Sequence, residues 1–366
     1  MTMVYVVLVL YMRNGWMKIP YFHLKPITFN SKVTVIIAAR NEEENIGRTL
    51  DCLMAQDYPK DLLEIIVVDD HSNDLTGNIV RGYANRGVDL ITLNEGNKLN
   101  SYKKFAINKA IVASKGDIII TTDADCRMGP QWISTIIECM ETQGKDMLSS
   151  PVCYHEEKSY FERLQTLEFL YLIGLGAAGI GNGNPTTCNG ANLAYRKDLF
   201  LEMGGFKGID DLASGDDELL LHKVAESKPH IIGFCKSKAA IVYTEAKENL
   251  KSFLSQRKRW ASKSTKYKDK KVVVLGIAIW LFNLAFLLSL LLFGMQGEDG
   301  RTLVLLSLLF KFLIELVFLY PVMKFANRRE LLFNLPLLTI IHPIYLVYIG
   351  IIGNIGKYDW KGRTVK

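Results

Sequence analysis

The 366 residues suffice for one large domain or two ordinary ones. A hydrophobic share of 49% with a mean hydropathy of +0.12 is too high for a purely soluble enzyme, and the six cysteines form no C-x-x-C pair, which argues for reduced core thiols and against a structural zinc site. The net charge of +6 is concentrated in one run beside an apolar stretch, a membrane-surface pattern rather than a nucleic-acid one.

The N-terminal "MTMVYVVLVLYM" is apolar over 12 residues, about 18 Å as a helix, and short of the ~30 Å hydrocarbon core. It reads as a partial membrane anchor. From residue 32 the pattern alternates. "KVTVIIAA" predicts a buried strand and "EEENIGRTLDCLMAQ" a helix with acids in its first turn. "LEIIVVDD", "VDLITLN" and "DIIITTDAD" predict further strands, separated by the helices "SNDLTGNIVRGYANRG" and "SYKKFAINKAIVASKG". This alternation predicts a parallel sheet covered on both faces, with ligands at the carboxyl ends of its strands. Three of those ends are polar: Arg40-Asn41-Glu42, Asp69-Asp70 and Asp123-x-Asp125. They are expected side by side.

After residue 150 a long apolar helix is predicted over 159–181, then a loop-rich stretch with a short helix, then a helix opened by Asp216-Asp217-Glu218. "NLKSFLSQRKRWAS" suits a helix on a membrane surface. The run 256–271 carries eight Lys or Arg against one Asp. Apolar stretches follow at 272–294, 302–323 and 331–353, each near the ~20 residues a span needs. The positive-inside rule puts 256–271 and 324–330 in the cytoplasm, yet a third crossing would then send the basic tail "GKYDWKGRTVK" outside. Pro336 and Pro343 suggest that this third stretch is broken, re-entrant or tilted.

Asp123 and Asp125, two apart on a strand, share one face and could grip one cation. Hard oxygen ligands favour Mg2+ or Mn2+. The bland alternative is a solvated strand end. Lys103-Lys104 could meet a diphosphate, and the Asp69-Asp70 pair a base or ribose. Gln256, Arg259 and Trp260 share one helix, with a fork for phosphate and a flat face for a sugar or base. His71, His155 and His342 each have a structural reading, although an ionisable group in an apolar span such as His342 is also a functional candidate.

Seven short motifs occur in order: "ARNEEENI", "VVDDHSND", "KKFAIN", "TDADC", "CNGANLAYRKDLFLEMGGF", "GDDELL" and "QRKRW". Over about residues 30–265 the chain thereby resembles the inverting family 2 glycosyltransferases, in particular the membrane-integrated branch of cellulose, hyaluronan and poly-N-acetylglucosamine synthases and ceramide glucosyltransferase. The resemblance implies a GT-A (Rossmann-like) α/β domain. It also implies that Arg40, Glu42, Asp70 and Lys103 contact the nucleotide, with Lys104 a spare. Asp123 and Asp125 would hold metal and diphosphate. Asp217 would be the general base, with Asp216 its neighbour where the family often has Glu, and Gln256, Arg259 and Trp260 would close over the diphosphate and shape the acceptor site.

The expected organisation is an anchor at 1–26, a cytoplasmic catalytic domain at 27–247, an interfacial segment at 248–271, and membrane helices with a basic tail at 272–366. The expected activity is transfer from a nucleoside-diphosphate sugar, UDP-linked by the Q-x-x-R-W motif, to a lipid or glycan acceptor at the cytoplasmic membrane. A processive synthase, aided by a second copy or a partner subunit, is the first alternative. A nucleotidyltransferase would want a Gly-rich loop after the first strand, where this chain has "AARNEEEN". A non-catalytic nucleotide-binding membrane protein is the third reading. No nucleic-acid partner is expected.

Overall fold

A computed structural model describes residues 2–25, 28–94, 101–267, 269–354, 358–360 and 363–365. The expected boundary at residue 27 and Lys268 of the basic run lie outside the described residues. The chain runs from helix α1 (Thr2–Lys18) into β1 (Val33–Ala39), α2 (Ile46–Met54), β2 (Leu63–Asp69), α3 (Thr76–Arg81), β3 (Val88–Thr92), α4 (Tyr102–Ala113) and β4 (Ile118–Thr122). Next come β5 (Arg127–Met128), α5 (Trp132–Gln143), β6 (Met147–Ser149), β7 (Val152–Tyr154), α6 (Tyr160–Gly181), β8 (Leu193–Arg196) and α7 (Lys197–Glu202). Then follow α8 (Glu218–Ser227), β9 (Ile232–Phe234), β10 (Val242–Thr244), α9 (Leu250–Ala261), α10 (Lys270–Leu291), α11 (Glu298–Ala326) and α12 (Leu335–Ile352), before a hairpin of β11 (Tyr358–Trp360) and β12 (Arg363–Val365).

The main sheet has the order β3-β2-β1-β4-β8-β6-β9 among the described residues. The first four strands are parallel; the apolar runs of β1, β2 and β4 are buried between helices on both faces, while the edge strand β3 buries only Val88. The sheet is nevertheless mixed, not wholly parallel as expected. β8, inside the stretch read as loop, runs antiparallel between β4 and β6. In register, Ala39 of β1 faces Asp69 of β2, and Ile37 faces Thr122 of β4, so the three polar strand ends do lie side by side.

Two helices, α2 and α3 (which starts only at Thr76 and ends at Arg81), are shorter than the pattern predicts. α2 starts at Ile46, because Glu42 and Glu43 are drawn into the neighbouring strand-end loop. The Glu42 amide donates to Thr76 Oγ1 at 2.8 Å and the Glu43 amide to Asp74 Oδ2 at 3.1 Å, while Glu43 Oε2 accepts from the Leu75 amide at 2.9 Å. Asn41 and His71 take left-handed backbone (φ 50° and 56°) in these two stitched loops, a conformation that an asparagine tolerates better than most residues.

Among the described residues, four helical segments are long and apolar enough to cross a membrane: Tyr160–Gly181, Lys270–Leu291, Glu298–Ala326 and Arg329–Ile352. α6 is the most enclosed of these, packing under β7 and β9, so protein meets most of its apolar surface. α1 crosses α6 where Gly15 approaches Ala178 and Gly181. A β-carbon on Gly15 would stand 2.1 Å from the Ala178 carbonyl, so only glycine allows this approach. Lys236, after β9, donates to the carbonyls of Trp16 (2.9 Å) and Ile19 (3.1 Å), tying the end of α1 to the sheet. α12 departs from a simple crossing. Ahead of it, Arg328 donates to the Tyr154 carbonyl (3.4 Å) and to Glu157 (2.8 Å). After it, Gly353 packs on Ala261 of α9, while Tyr345 meets Phe253 eight residues earlier on α9 (ring centroids 5.3 Å). The segment leading into α12 therefore meets β7, and the end of α12 meets α9, alongside which it runs.

Candidate active site

One cavity of about 1010 Å³ opens at the carboxyl ends of β1, β2 and β4. Arg40, Glu42 and Asp70 line it from the first two strand ends, and Asp123 and Asp125 from the third. Lys103 enters from α4, Asp216 and Asp217 from the start of α8, and Gln256, Arg259 and Trp260 from α9. Every residue given a catalytic, donor or metal role by the resemblance thus lines one space, and so does His342, while Asp69, His71, Lys104 and His155 lie outside it.

The charges are interlocked. Lys103 Nζ lies 2.8 Å from Asp123 Oδ1 and 3.2 Å from Asp216 Oδ2, joining the D-x-D to the acid pair. Burial alone would lower the Lys103 ammonium, but Asp123 and then Asp216 push it well above its usual value. For Asp123 burial acts the other way, raising the carboxyl, and the adjoining Lys103 with the more remote Arg259 brings it below its ordinary range. At the ends of β1 and β2, Arg40 Nη1 donates to the carbonyls of Asp70 (2.8 Å) and His71 (2.7 Å), and His71 Nδ1 lies 2.9 Å from Asp70 Oδ1. Arg40 therefore fixes the end of β2 as well as lining the cavity.

Asp217 caps α8. Its Oδ1 accepts from the Glu218 amide (2.7 Å) and its Oδ2 from the Gly190 amide (2.8 Å). Gly190, from the C-N-G-A-N motif, lies close against the acid pair: a β-carbon there would stand 3.2 Å from Asp216 Oδ2 and 3.3 Å from Asp217 Cβ, so a larger residue would press the acids aside by a few tenths of an ångström. Burial raises the Asp217 carboxyl, but Lys263 first, then Lys103 and the two amides, bring it down to about 2.

Three contributions escaped the sequence reading. Lys263 Nζ bonds Glu218 at 2.7 Å and lies 3.7 Å from Asp217, yet it was counted within the basic run. Its spacing of four from Arg259 was the available signal. Lys104, expected to be a spare, donates to the carbonyls of Ile209 (2.6 Å), Leu212 (2.7 Å) and Ser214 (2.9 Å), and so holds the loop that delivers the acid pair. Arg257, the unassigned letter of Q-R-K-R-W, is buried in an ion pair with Glu168 of α6, and its guanidinium lies over the Trp260 ring, 4.2 Å from the centroid. Phe169 borders the same ring at 6.0 Å. Arg257→Ala is expected to lower stability by about 3–5 kcal/mol by leaving Glu168 buried and unpaired, and Arg257→Met with Glu168→Leu to recover most of it, read as Tm in detergent.

Carboxylates, lysines and an arginine around a deep cleft at parallel-strand ends suit a phosphate-bearing ligand, and residues 34–204, which hold the first four motifs, match the model of glycosyl transferase family 2. The chain is a glycosyltransferase, family 2 in its residues 34–204. The transferase is 30% identical over 260 residues to "Probable glycosyltransferase YdaM" of Bacillus subtilis (strain 168), an alignment covering 69% of this chain and 58% of that protein. It is 25% identical over 363 residues to the 4,4'-diaponeurosporenoate glycosyltransferase of Staphylococcus aureus (strain USA300), covering 93% and 90% of the two chains. In fold, the transferase is similar to a mannosyltransferase of Pyrobaculum calidifontis solved with GDP-Man and Mn2+, with a TM-score of 0.60, 19% identity, and coverage of 92% and 94%.

Proposed function

We propose that the enzyme transfers a sugar, with inversion, from a UDP-sugar to a membrane-borne lipid acceptor at the cytoplasmic face, one unit at a time. The observation that carries this reading is the single cavity, which holds every candidate acid and base and continues past Trp260 between the apolar helices to Asn283 and His342. Its ~1010 Å³ reaches the top of the 300–1,000 Å³ range of drug-sized pockets, leaving room for a donor and part of an acceptor. Uridine rests on the resemblance of Q-R-K-R-W to the membrane-integrated branch.

In this reading Asp70 holds the base, Glu42 and Arg40 shape its pocket, and Lys103 and Arg259 neutralise diphosphate. The donor set at Asp123 and Asp125 fits Mg2+ or Mn2+, since both ligands are hard oxygens. Among the described residues no group of three or more Asp, Glu, His or Cys gathers there, so phosphate oxygens would complete the shell. Such an ion supplies charge neutralisation to the leaving diphosphate. The acceptor oxygen forms its bond to the anomeric carbon as the carbon–phosphate-oxygen bond breaks. Asp217 takes the acceptor proton, and the nucleoside diphosphate departs with the bonding electrons. Gln256 and Trp260 border the acceptor side.

A relative that spans most of this chain is named for an acceptor that is not a growing polysaccharide, which favours single addition over processive synthesis. We place α10 and α11 across the bilayer and α12 as a return helix. The contacts of its leading segment with β7 and of its end with α9 support that topology, and it keeps the basic tail on the side of Arg259 and Lys263.

The test uses the full chain in nanodiscs with a panel of UDP-sugars and GDP-mannose, with Mg2+ or Mn2+. Turnover of one donor into a lipid-extractable product with one added sugar supports the reading. A ladder of lengthening products would replace it with a synthase, and absence of donor binding would end the transferase assignment of these residues.

A further inference from the structure

The inner branch of the cavity has a build of its own. Leu8 and Met12 of α1, Leu175 of α6, Leu275 and Ile279 of α10 and Leu346 of α12 wall it with hydrocarbon. α10 packs along α12 and meets α1 through the stacked rings of Tyr5 and Phe282, 4.5 Å between centroids. From Lys270, the first residue of α10, Asn283 stands about 20 Å along the helix. There the lining turns polar, with Tyr171, Asn283 and His342.

Two of these polar groups lack partners. Asn283 is 2% exposed; its Nδ2 donates to the Ile279 carbonyl at 2.8 Å, which fixes the orientation of the amide, and its Oδ1 accepts no hydrogen bond. His342 has ring contacts with Tyr171 (6.3 Å) and Tyr345 (5.9 Å) and no hydrogen bond among the described residues. Behind them the polar groups satisfy one another. Glu315 pairs with Lys311 and accepts from Tyr5 (2.6 Å) and Thr339 (3.1 Å). Asn283 and His342 thus stand at the inner end of an apolar space with hydrogen-bonding capacity unused. A buried amide oxygen without a donor is costly in an apolar environment, so its place on the cavity wall points to a ligand group.

We infer that this branch is a binding site for the acceptor's hydrocarbon chain, and that Asn283 and His342 read a hydroxyl carried on that chain inside the membrane layer. A hydroxyl can donate to Asn283 Oδ1 and also accept from a neutral imidazole; a plain alkyl chain can do neither. The inference rests on the transferase reading for what happens at the other end of the acceptor, but its own observables are independent of turnover.

The probes are hexadecanoic acid carrying a mid-chain diazirine and its ω-hydroxy counterpart, photoactivated on the full chain in nanodiscs and mapped by peptide mass spectrometry. Both should label α10 and α12 at Leu275, Ile279 and Leu346, and the hydroxylated probe about fivefold more at equal concentration, the worth of one net hydrogen bond. Asn283→Leu should erase that preference while leaving labelling by the plain probe. Leu346→Trp, which fills the branch without touching a polar group, should lower labelling by both. Equal labelling by the two probes overturns the hydroxyl assignment. Labelling confined to the outward residues Val274, Ile277 and Leu281 overturns the site itself. UDP binding with Mn2+ is measured on the same samples. If it is absent while the hydroxyl preference is present, the donor reading fails and the chain site stands; the reverse result fails only the chain site. A variant that loses UDP binding is misfolded, and the other variant then decides.

Discussion

Asp125→Ala is expected to lower sugar transfer about 100- to 1,000-fold and to abolish its response to added Mg2+ or Mn2+. The size follows from geometry. Asp123 is already engaged by Lys103 at 2.8 Å, so a cation arriving with the diphosphate leans on Asp125 for its second carboxylate. Losing one of two protein oxygens forfeits several kcal/mol of charge neutralisation at the leaving group, and each ~1.4 kcal/mol is a factor of ten in rate. Asp123→Ala should be harsher in one respect, since it also takes from Lys103 the acid that orients it. The check is transfer rate and UDP affinity across a Mn2+ titration. Unchanged metal response in Asp125→Ala would reduce the D-x-D to a solvated strand end.

The second large effect is at Asp217. Asp217→Asn should lower kcat by roughly 100- to 10,000-fold with donor affinity within a few-fold of the parent. Asparagine is as good a helix cap as aspartate and can still accept from a backbone amide, so α8 should keep its start. What disappears is the carboxylate that the proposed mechanism uses as proton acceptor. Asp216→Asn should cost less in kcat and more in donor affinity, because Asp216 bears on Lys103. The opposite ranking would make Asp216 the base. The pH dependence sharpens the test. With its carboxyl near 2, Asp217 is ionised throughout the neutral range, so the acidic limb of kcat/KM should not belong to it in the free enzyme. Its contribution to folding is full above the ordinary value of 3.8 and is lost as pH falls through about 2. Lys263→Met removes the largest opposing charge, so the carboxyl should move upward, observable as an additional acidic limb of kcat/KM that the parent enzyme does not show.

Much of this site was legible because its residues sit where pattern is strong. The parallel strands are short apolar runs ending in charge, and each charged end adjoins the next through register alone. β8 was not legible: its four residues follow a Gly- and Asn-rich stretch, and its pairing with β4 and β6 is long-range, set by partners that no local window contains. The helix beginnings failed for a related reason. Glu42 and Glu43 look like first-turn acids, but the amides and hydroxyls of 74–76 compete for the same backbone, and tertiary contacts won. Lys104 and Lys263 were hidden by abundance, each one lysine beside others, distinguishable only by where its ammonium ends.

The seat of α1 has a consequence in time. Tyr5 donates to Glu315, 310 positions further along the chain, and Thr2 to Ser307, 305 positions on. At about 5–20 residues per second of synthesis, roughly 15–60 s separate the emergence of the first helix from that of its partners. For that interval the helix lacks these partners, and α6 and Lys236 are the earlier anchors to appear. Docking of α1 against α11 is therefore a late event, following the seating of its second half on α6 and Lys236, and truncations within α11 should leave a folded sheet on which the first turns of α1 are protease-sensitive.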